Sequence, residues 1–407
     1  MTSVAGIVAG FAVLAAFLAL KRPVWLALLL ASLAMSLVGM GPGALELLAE
    51  TASERATVDL LVVMFLISTF VGLYRATGFI NKLGEALVGA LKKPKFVASL
   101  VPAAIGLLPV PGGALMSAPV VDAVGSRMGL SREKMLYVNV WFRHVIFLAY
   151  PLSAVMATAA AVAGTSVWSL ALRQLPVMAA MVVAGYFLGF KGAKSSGAAL
   201  GSSGSGRELA KTLAPLLVAI SVAVLLDPFL SAWTSLFPVA RLSMVLGLLL
   251  GTCLLLLLSR AGLKDVARAA FSRQTGELLV AGFSSMLLKN AFTALGGPGL
   301  VSSLFSGGLA ALALAVATPY LASFATGSPL TGIVVGLSIA QALGHAGDWA
   351  SLVYTAALLG YIASPAHLCY VYTAQYFGVP LTSAYKDVFA SELAALATAL
   401  VLFVAAP

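Results

Sequence analysis

Two short stretches of the sequence place prolines, glycines and hydroxyl side chains inside otherwise apolar surroundings. They are residues 107–121 (LLPVPGGALMSAPVV) and residues 323–336 (SFATGSPLTGIVVG). Proline and glycine break helices, and a break at membrane depth persists only where protein covers it or where it lines a water-filled cavity. The helix ends at a break carry unpaired N–H groups and a partial positive charge, which attract anions. The two stretches therefore predict a cavity that binds an anion largely through the backbone.

Small residues at the two breaks let a substrate approach the backbone, and nearby hydroxyls can bind its oxygen atoms or a coordinated cation. The alternative is that the prolines kink packed helices and the hydroxyls bond to carbonyls of their own helices. Matched breaks in the two halves of a chain favour the binding site, because transporters place such breaks around their substrate. The predicted substrate-binding residues in these stretches are Pro111, Gly112, Gly113, Ser117, Thr326, Gly327, Ser328 and Thr331.

Two other apolar runs, NVWFRHVIFLAYPLSAV and GYIASPAHLCYVYT, carry ionisable residues, which are costly to bury in lipid. Arg143 can clamp a carboxylate, phosphate or phosphonate, and its alternatives are snorkelling to the interface or pairing with Asp122. His144 can carry a proton at neutral pH, or it is a packed, hydrogen-bonded histidine. His367 follows the second break and is a stronger candidate than His144 for a functional role. The predicted set is completed by Asn139 and Ser364 for the substrate, and by Asp122, Tyr150 and His144 for a proton or coupling ion.

The rest of the chemistry-bearing residues exclude several classes of function. Carboxylates are scarce inside the apolar runs. A cation transporter normally has a carboxylate at its binding site within the membrane, so an anionic substrate is favoured. The sequence contains no nucleophile elbow, no HExxH motif and no cysteine cluster, so we expect no enzyme activity. Cys253 and Cys369 lie in separate apolar runs and indicate neither a disulfide framework nor a metal site. We expect no cofactor beyond a coupled H⁺ or Na⁺.

The composition decides the class of protein that must position these residues. Of 407 residues, 61% are hydrophobic and 9% are charged, which predicts an all-α polytopic membrane protein. The net charge of +10 is interpreted as basic cytoplasmic loops rather than as nucleic-acid binding. The expected partners are therefore the lipid bilayer and a small anionic substrate, with no nucleic acid.

The pattern of apolar runs predicts two repeats, each with five spanning helices, one of them broken, and one re-entrant hairpin. The hairpins are inferred because the runs around the two Pro/Gly breaks are too short to cross a membrane at about 1.5 Å per residue. The first repeat covers residues 1–190, with its hairpin at about 96–128 and its broken helix at about 135–164. The second covers residues 209–407, with its hairpin at about 309–343 and its broken helix at about 351–376. A Gly/Ser-rich linker, residues 191–208, lies between them.

Basic residues predict the orientation of the chain in the plasma membrane. When Lys21 and Arg22 are placed inside, the other basic stretches also fall on the cytoplasmic side, and the acidic loop 41–57 falls outside. The N-terminus is then outside and the linker is cytoplasmic. The first hairpin enters from the cytoplasm and the second from outside, which makes the repeats inverted in topology. Interface-lying helices at 78–91 and 297–308 are expected to link the two parts of the protein.

The Pro/Gly hairpin sequence LLPVPGGALMSAPVV, the break GYIASPAHLCYVYT and the two-hairpin layout resemble the ion transporter superfamily. That group includes gluconate, citrate, dicarboxylate and arsenite permeases, and the chain looks most similar to an uncharacterised membrane family within it. The resemblance implies a scaffold that often forms a homodimer and a mobile domain that moves as an elevator. The hairpin signature Ser-Asn-Thr of the sodium-coupled dicarboxylate branch is replaced by PGG at 111–113 and GSP at 327–329.

The sequence thus leads to one main hypothesis and two rivals from other classes. The main hypothesis is a secondary active transporter of a small organic or inorganic anion, working by alternating access and coupled to H⁺ or Na⁺. The first rival is a lipid-phosphate flippase or binding protein that opens the same cavity sideways to lipid. The second and weaker rival is an intramembrane enzyme acting on a lipid head group, which would turn over substrate without any gradient.

Overall fold

The computed structural model describes residues 2–20, 22–91, 93–107, 114–194, 206–230, 241–297, 299–300 and 308–405, and these are helical with no strand among them. The prediction of an all-α protein is therefore confirmed for the described residues. The first half contains α1 (Thr2–Ala19), α2 (Val24–Met40), α3 (Gly43–Ser53), α4 (Arg55–Ala76), α5 (Phe79–Ala90), α6 (Pro94–Gly106), α7 (Ala114–Arg127), α8 (Arg132–Val145), α9 (Ala154–Ala163) and α10 (Val167–Gly189). The second contains α11 (Gly206–Leu230), α12 (Leu242–Ser259), α13 (Leu263–Ala270), α14 (Arg273–Ala294), α15 (Gly308–Thr326), α16 (Pro329–Ala342), α17 (Ala346–Ala363), α18 (Leu368–Phe377) and α19 (Tyr385–Ala405).

Long apolar helices make this a multi-span membrane protein. Among the described residues, six helical segments are long and apolar enough to cross a membrane: α4, α10, α11, α12, the segment Ala346–Phe377 and the segment Leu381–Ala405. Several shorter apolar helices accompany them, including α1, α2, α6, α15 and α16. Short apolar helices inside a membrane protein must end against protein or a cavity, because lipid cannot satisfy the backbone groups at their ends.

The second Pro/Gly stretch is a tight turn between two helices. Helix α15 ends at Thr326, Gly327 has a φ of +64°, and Ser328 is extended, so that Pro329 can occupy the first position of α16. The first Pro/Gly stretch, between α6 and α7, includes Pro111, Gly112 and Gly113 and lies outside the described residues. The linker positions 195–205 and most of the expected interface helix 297–308 also lie outside them.

Prolines also interrupt the helical path twice near the core. After α8, a 3₁₀ turn at Ile146–Leu148 precedes Pro151, and α9 begins at Ala154. Helix α17 ends at Ala363 because Ser364 precedes Pro365 and is extended, and α18 begins at Leu368. The acidic stretch expected to be a loop at 41–57 is helical as α3, since GALELLAETAS has good helix formers and no internal break.

The helix pairs α6–α7 and α15–α16 pack together with the interrupted helices. Helices α6 and α7 pack on each other and on α8, while α15 and α16 pack on each other and on α17. The shorter helix after each interruption crosses over, since α9 packs on α16 and α18 packs on α7. Every residue from 135 to 145 of α8 is buried, although the segment contains an asparagine, an arginine and a histidine. The polar residues of α8 therefore lie in the protein interior.

A buried ion pair joins α4 to the start of α12. The Arg241 guanidinium lies 3.1 Å from the Asp59 carboxylate, and the Arg241 backbone N–H donates to the other Asp59 oxygen at 2.8 Å. The side chains are only 16% and 4% exposed. We expect Asp59→Asn to destabilise the protein by about 3–5 kcal/mol, because it leaves the Arg241 charge buried without its carboxylate. Thermal unfolding in detergent measures this change.

The matched control for this prediction is Arg268→Gln. Arg268 pairs with Asp265 across 3.7 Å at the surface, and its side chain is 79% exposed. An exposed pair contributes little, so Arg268→Gln should unfold at the wild-type temperature. Equal unfolding temperatures for Asp59→Asn and Arg268→Gln would contradict a stabilising role for the buried pair.

Candidate functional site

A cavity of about 460 Å³ lies between two groups of helices. One wall is formed by α2, α4 and α14, and the other by α8, α9, α16, α17, α18 and the turn before α16. The first wall contributes Trp25, Ser68, Gln274 and Glu277, and the second contributes Arg143, His144, Ser153, Ser328, His367 and Cys369. The cavity thus lies where the short helices end.

In the second wall three helices begin at this cavity, and each lines it with its N-cap and its first two residues. These residues are 153–155 for α9, 328–330 for α16 and 367–369 for α18. None of the three N-cap side chains makes a capping hydrogen bond. The N–H groups of a first helical turn have no partner inside the helix, and they carry a partial positive charge. The three helix ends therefore give this cavity a positive potential, and the first turns of α9 and α18 add backbone donors, whereas α16 begins with Pro329, which has no N–H.

Arg143 adds a full positive charge to the same cavity. It lies in the last turn of α8 and is 1% exposed, so its guanidinium is covered by protein. Asp122, its other expected partner, lies outside the cavity lining, where it accepts hydrogen bonds from Ser126 at 3.2 Å and Tyr376 at 3.4 Å. The carboxylate on the opposite wall, Glu277, accepts from Arg273 at 2.8 Å. The wall built from the interrupted helices is therefore cationic.

His144 and His367 lie side by side in this wall. Their ring centroids are 4.6 Å apart, and both side chains are 1% exposed. The Nδ1 atom of His144 lies 2.6 Å from the Val140 carbonyl oxygen. The Tyr361 ring packs on His367 with centroids 4.0 Å apart. One ring nitrogen of each histidine and the Cys369 Sγ all lie within 4.8 Å of one another, so these three residues can hold a metal ion.

Hydrogen bonds between side-chain hydroxyls and backbone groups order the turn before α16 and join it to the break between α17 and α18. The Ser364 hydroxyl donates to the Phe324 carbonyl at 2.5 Å and accepts from the Ala366 N–H at 3.1 Å. The Thr326 hydroxyl accepts from the Ser328 N–H at 3.3 Å. Ser364 and Thr326 therefore shape the site, although neither lines the cavity.

Four other predicted residues also lie outside the cavity lining. Asn139 donates through Nδ2 to the Ala114 carbonyl at 3.0 Å and to the Thr373 hydroxyl at 3.2 Å, which ties α8 to α7 and α18. Ser117 donates to the Ala114 carbonyl of its own helix at 3.2 Å. Thr331 and Tyr150 are buried. Among the predicted site residues that the structure describes, those that line the cavity are Arg143, His144, Gly327, Ser328 and His367.

Comparison with known proteins places the chain in a family. Residues 4–406 match the family described as Protein of unknown function (DUF401). The chain belongs to this family. No curated protein matches it. Among solved structures it is similar to the crystal structure of the Alcanivorax borkumensis YdaH transporter, which is described as having an unusual topology. The TM-score is 0.60, with 14% identity over 89% of this chain and 88% of that chain.

These comparisons support the coarser part of the resemblance found in the sequence. They confirm an uncharacterised membrane family for this DUF401 chain, and they show that it has the fold of a membrane transporter. At 14% identity the similarity concerns the fold only.

Sequence reasoning missed several polar groups of this DUF401 protein. Nothing local in the sequence marks Cys369 and Tyr361 as part of the site. Trp25 lines the cavity, and its Nε1 has no hydrogen-bond partner among the described residues. Glu392, in α19, is 5% exposed and accepts a hydrogen bond from the Tyr320 hydroxyl at 2.8 Å. Glu392 did carry a signal, because it is a carboxylate within an apolar run and such residues are functional candidates.

Proposed function

We propose that this DUF401 protein is a secondary active transporter of a small organic or inorganic anion, bound in the cavity between the two helix groups. The observation that carries the proposal is the convergence of three helix N-termini and Arg143 on one cavity. Helix N-termini bind carboxylate, phosphate and sulfate groups through free N–H donors. An arginine beside them adds two parallel donors of fixed geometry.

The chemistry of the cavity walls supports a small oxyanion over a cation. The wall with the three N-termini holds Arg143 and no carboxylate among its described lining residues, and Glu277 on the other wall is engaged by Arg273. Ser328 and Ser153 hydroxyls and the Trp25 N–H supply further donors around the cavity. Such donors match a substrate with several acceptor oxygens.

The proposed mechanism is alternating access by an elevator movement. The hairpins and interrupted helices form the moving part, and α1, α2, α4, α11, α12 and α14 form the scaffold, with the cavity at their boundary. The order of elements supports two repeats at 1–190 and 209–407, because each half has a helix pair, a spanning helix, a second helix pair, an interrupted helix and a final helix in that order. The proposal takes these repeats to be inverted in topology. The proposal includes a homodimer in the plasma membrane, with the N-terminus outside, and membership of the ion transporter superfamily.

The proposal is tested by ligand screening followed by transport. Purified protein is heated with organic and inorganic anions at several pH values and sodium concentrations, since a bound ligand raises the unfolding temperature by mass action. Each stabilising anion is then offered to proteoliposomes with an H⁺ or Na⁺ gradient. Uptake above the leak of empty liposomes supports the transporter. Stabilisation by no anion, or chemical conversion of a bound molecule without a gradient, would overturn it.

Glu392 offers a specific test for protons as the coupling ion. Its carboxylate is buried against Tyr320 on α15, the helix that leads to the turn at Gly327. We expect Glu392→Gln to abolish stimulation of uptake by a proton gradient while leaving anion binding intact, because the amide keeps an oxygen acceptor for Tyr320 but cannot carry a proton. The measurement is uptake into proteoliposomes with and without an inward-directed acid gradient.

The matched control is Glu85→Gln, at an exposed position on α5. This variant should respond to the proton gradient like the wild type. Full gradient stimulation in Glu392→Gln would exclude Glu392 as the proton carrier. His144, Asp122 and Tyr150 would then be the remaining candidates.

A further inference from the structure

The rarest side chains of the chain gather at one point of the fold. The sequence has three histidines and two cysteines, and two of those histidines and one cysteine meet in the cavity wall. His144 comes from α8, while His367 and Cys369 come from the start of α18. One nitrogen from each ring and the Cys369 Sγ lie within 4.8 Å of one another, and all three residues are buried. Imidazole nitrogen and thiolate sulfur are the donors that soft metal ions prefer.

The hydrogen bonds of the two imidazole rings use the Nδ1 atoms and leave the Nε2 atoms available to bind a metal ion. A carbonyl oxygen only accepts, so the contacts of Nδ1 with the Val140 carbonyl at 2.6 Å and with the Ile362 carbonyl at 3.5 Å place the proton of each neutral ring on Nδ1. The Nε2 atoms of His144 and His367 then carry lone pairs, and neither has a hydrogen-bond partner among the described residues. A metal-binding histidine usually donates its other N–H to a backbone carbonyl in this way.

Aromatic neighbours fix the orientation of the rings. The Phe147 ring meets His144 edge to face with centroids 5.2 Å apart, and the Tyr361 ring packs on His367 at 4.0 Å. Donors bound to one ion at about 2.0–2.3 Å lie less than about 4.6 Å apart. A separation within 4.8 Å therefore needs only small side-chain rotations to close around an ion.

The charge of the surroundings selects the ion. A thiol that binds a metal loses its proton, so a bound Cys369 contributes one negative charge. A monovalent ion makes the complex neutral, whereas a divalent ion would leave a positive charge beside Arg143 and the three helix N-termini. Thiolate and imidazole ligands suit Cu(I) in particular among monovalent ions.

We propose that His144, His367 and Cys369 form a three-coordinate binding site for a soft monovalent metal ion of the Cu(I) class. The ion is held by the two Nε2 atoms and the Cys369 sulfur, at the cavity wall beside Arg143. This site goes beyond the transport proposal and does not depend on it, since metal binding is measured on the purified protein without any anion or gradient.

The test is a titration of the full-length protein in detergent with Cu(I) against a coloured competing chelator. We expect one Cu(I) per chain, and we expect the affinity to fall by more than about 100-fold in Cys369→Ser, because even residues one step removed from a metal contribute about 10- to 100-fold. His144→Gln and His367→Gln should also weaken binding. Zn(II) added in equal amount should not displace Cu(I).

Matched controls come from the remaining histidine and cysteine. Cys253 is exposed on α12, and His345 stacks on Trp349 near the surface, so Cys253→Ser and His345→Gln should bind Cu(I) like the wild type. X-ray absorption of the copper-loaded wild type provides a readout that needs no variant and should show one sulfur and two imidazole neighbours. Absence of sulfur from the copper shell, or equal losses in the Cys253→Ser control, would overturn the proposal, as would preference for Zn(II).

Discussion

Arg143→Gln is expected to weaken binding of the transported anion by about 10- to 100-fold, since a hydrogen bond to a charged group contributes about 1.5–3 kcal/mol and tenfold corresponds to about 1.4 kcal/mol. Arg143 is 1% exposed and lines the cavity onto which the three helix N-termini converge. Glutamine can still form hydrogen bonds at this position, but it lacks the positive charge and the paired parallel N–H donors of arginine. The measurement is the anion concentration that gives half the maximal rise in unfolding temperature.

Two further variants separate charge, geometry and location. Arg143→Lys keeps the charge but loses the paired donors, so its affinity should lie between those of the wild type and Arg143→Gln. Arg127→Gln removes an exposed arginine at the end of α7 and should leave anion binding unchanged. The site assignment is wrong if Arg143→Gln binds the anion as tightly as Arg127→Gln does.

The helix interruptions were predictable because their cause is local. Proline removes a backbone donor and restricts the residue before it, so Pro329 and Pro365 mark the ends of helices from sequence alone. Composition likewise predicts an all-α membrane protein without knowledge of any contact. The acidic stretch that forms α3 shows the weakness of this reasoning, since its charges suggest a loop while its helix propensities are good.

Which polar side chains reach the cavity was not predictable from local sequence. Serine, threonine and asparagine look alike whether they bind substrate or brace the backbone, and only the packing of α8 against α7 and α18 shows that Asn139 braces. The approach of His144 to His367 and Cys369 has the same origin, because it requires α8 and α18 to pack side by side. Such contacts are tertiary, and no spacing along the chain records them.

Gly327→Ala is expected to weaken anion binding by about 10- to 100-fold. An added Cβ would overpack the turn, which costs about 1–3 kcal/mol, and the turn that would have to move is part of the binding site. Gly327 has a φ of +64°, and an added Cβ would lie 2.7 Å from the carbonyl carbon and oxygen of Ala366. Backbone atoms cannot rotate away as a flexible side chain does. The turn before α16 must therefore move off the break before α18, which separates two of the three helix N-termini that line the cavity.

Gly344→Ala distinguishes this effect from simple backbone strain. Gly344 has a φ of +80°, yet nothing lies within 4 Å of the position of its Cβ. Both variants should lose about 1–2 kcal/mol of stability from the left-handed conformation, but only Gly327→Ala should lose anion binding. If both lose binding equally, the close approach of the two breaks does not shape the site. If Gly327→Ala alone loses it, the N-termini of α16 and α18 bind the anion together, and their separation sets the affinity.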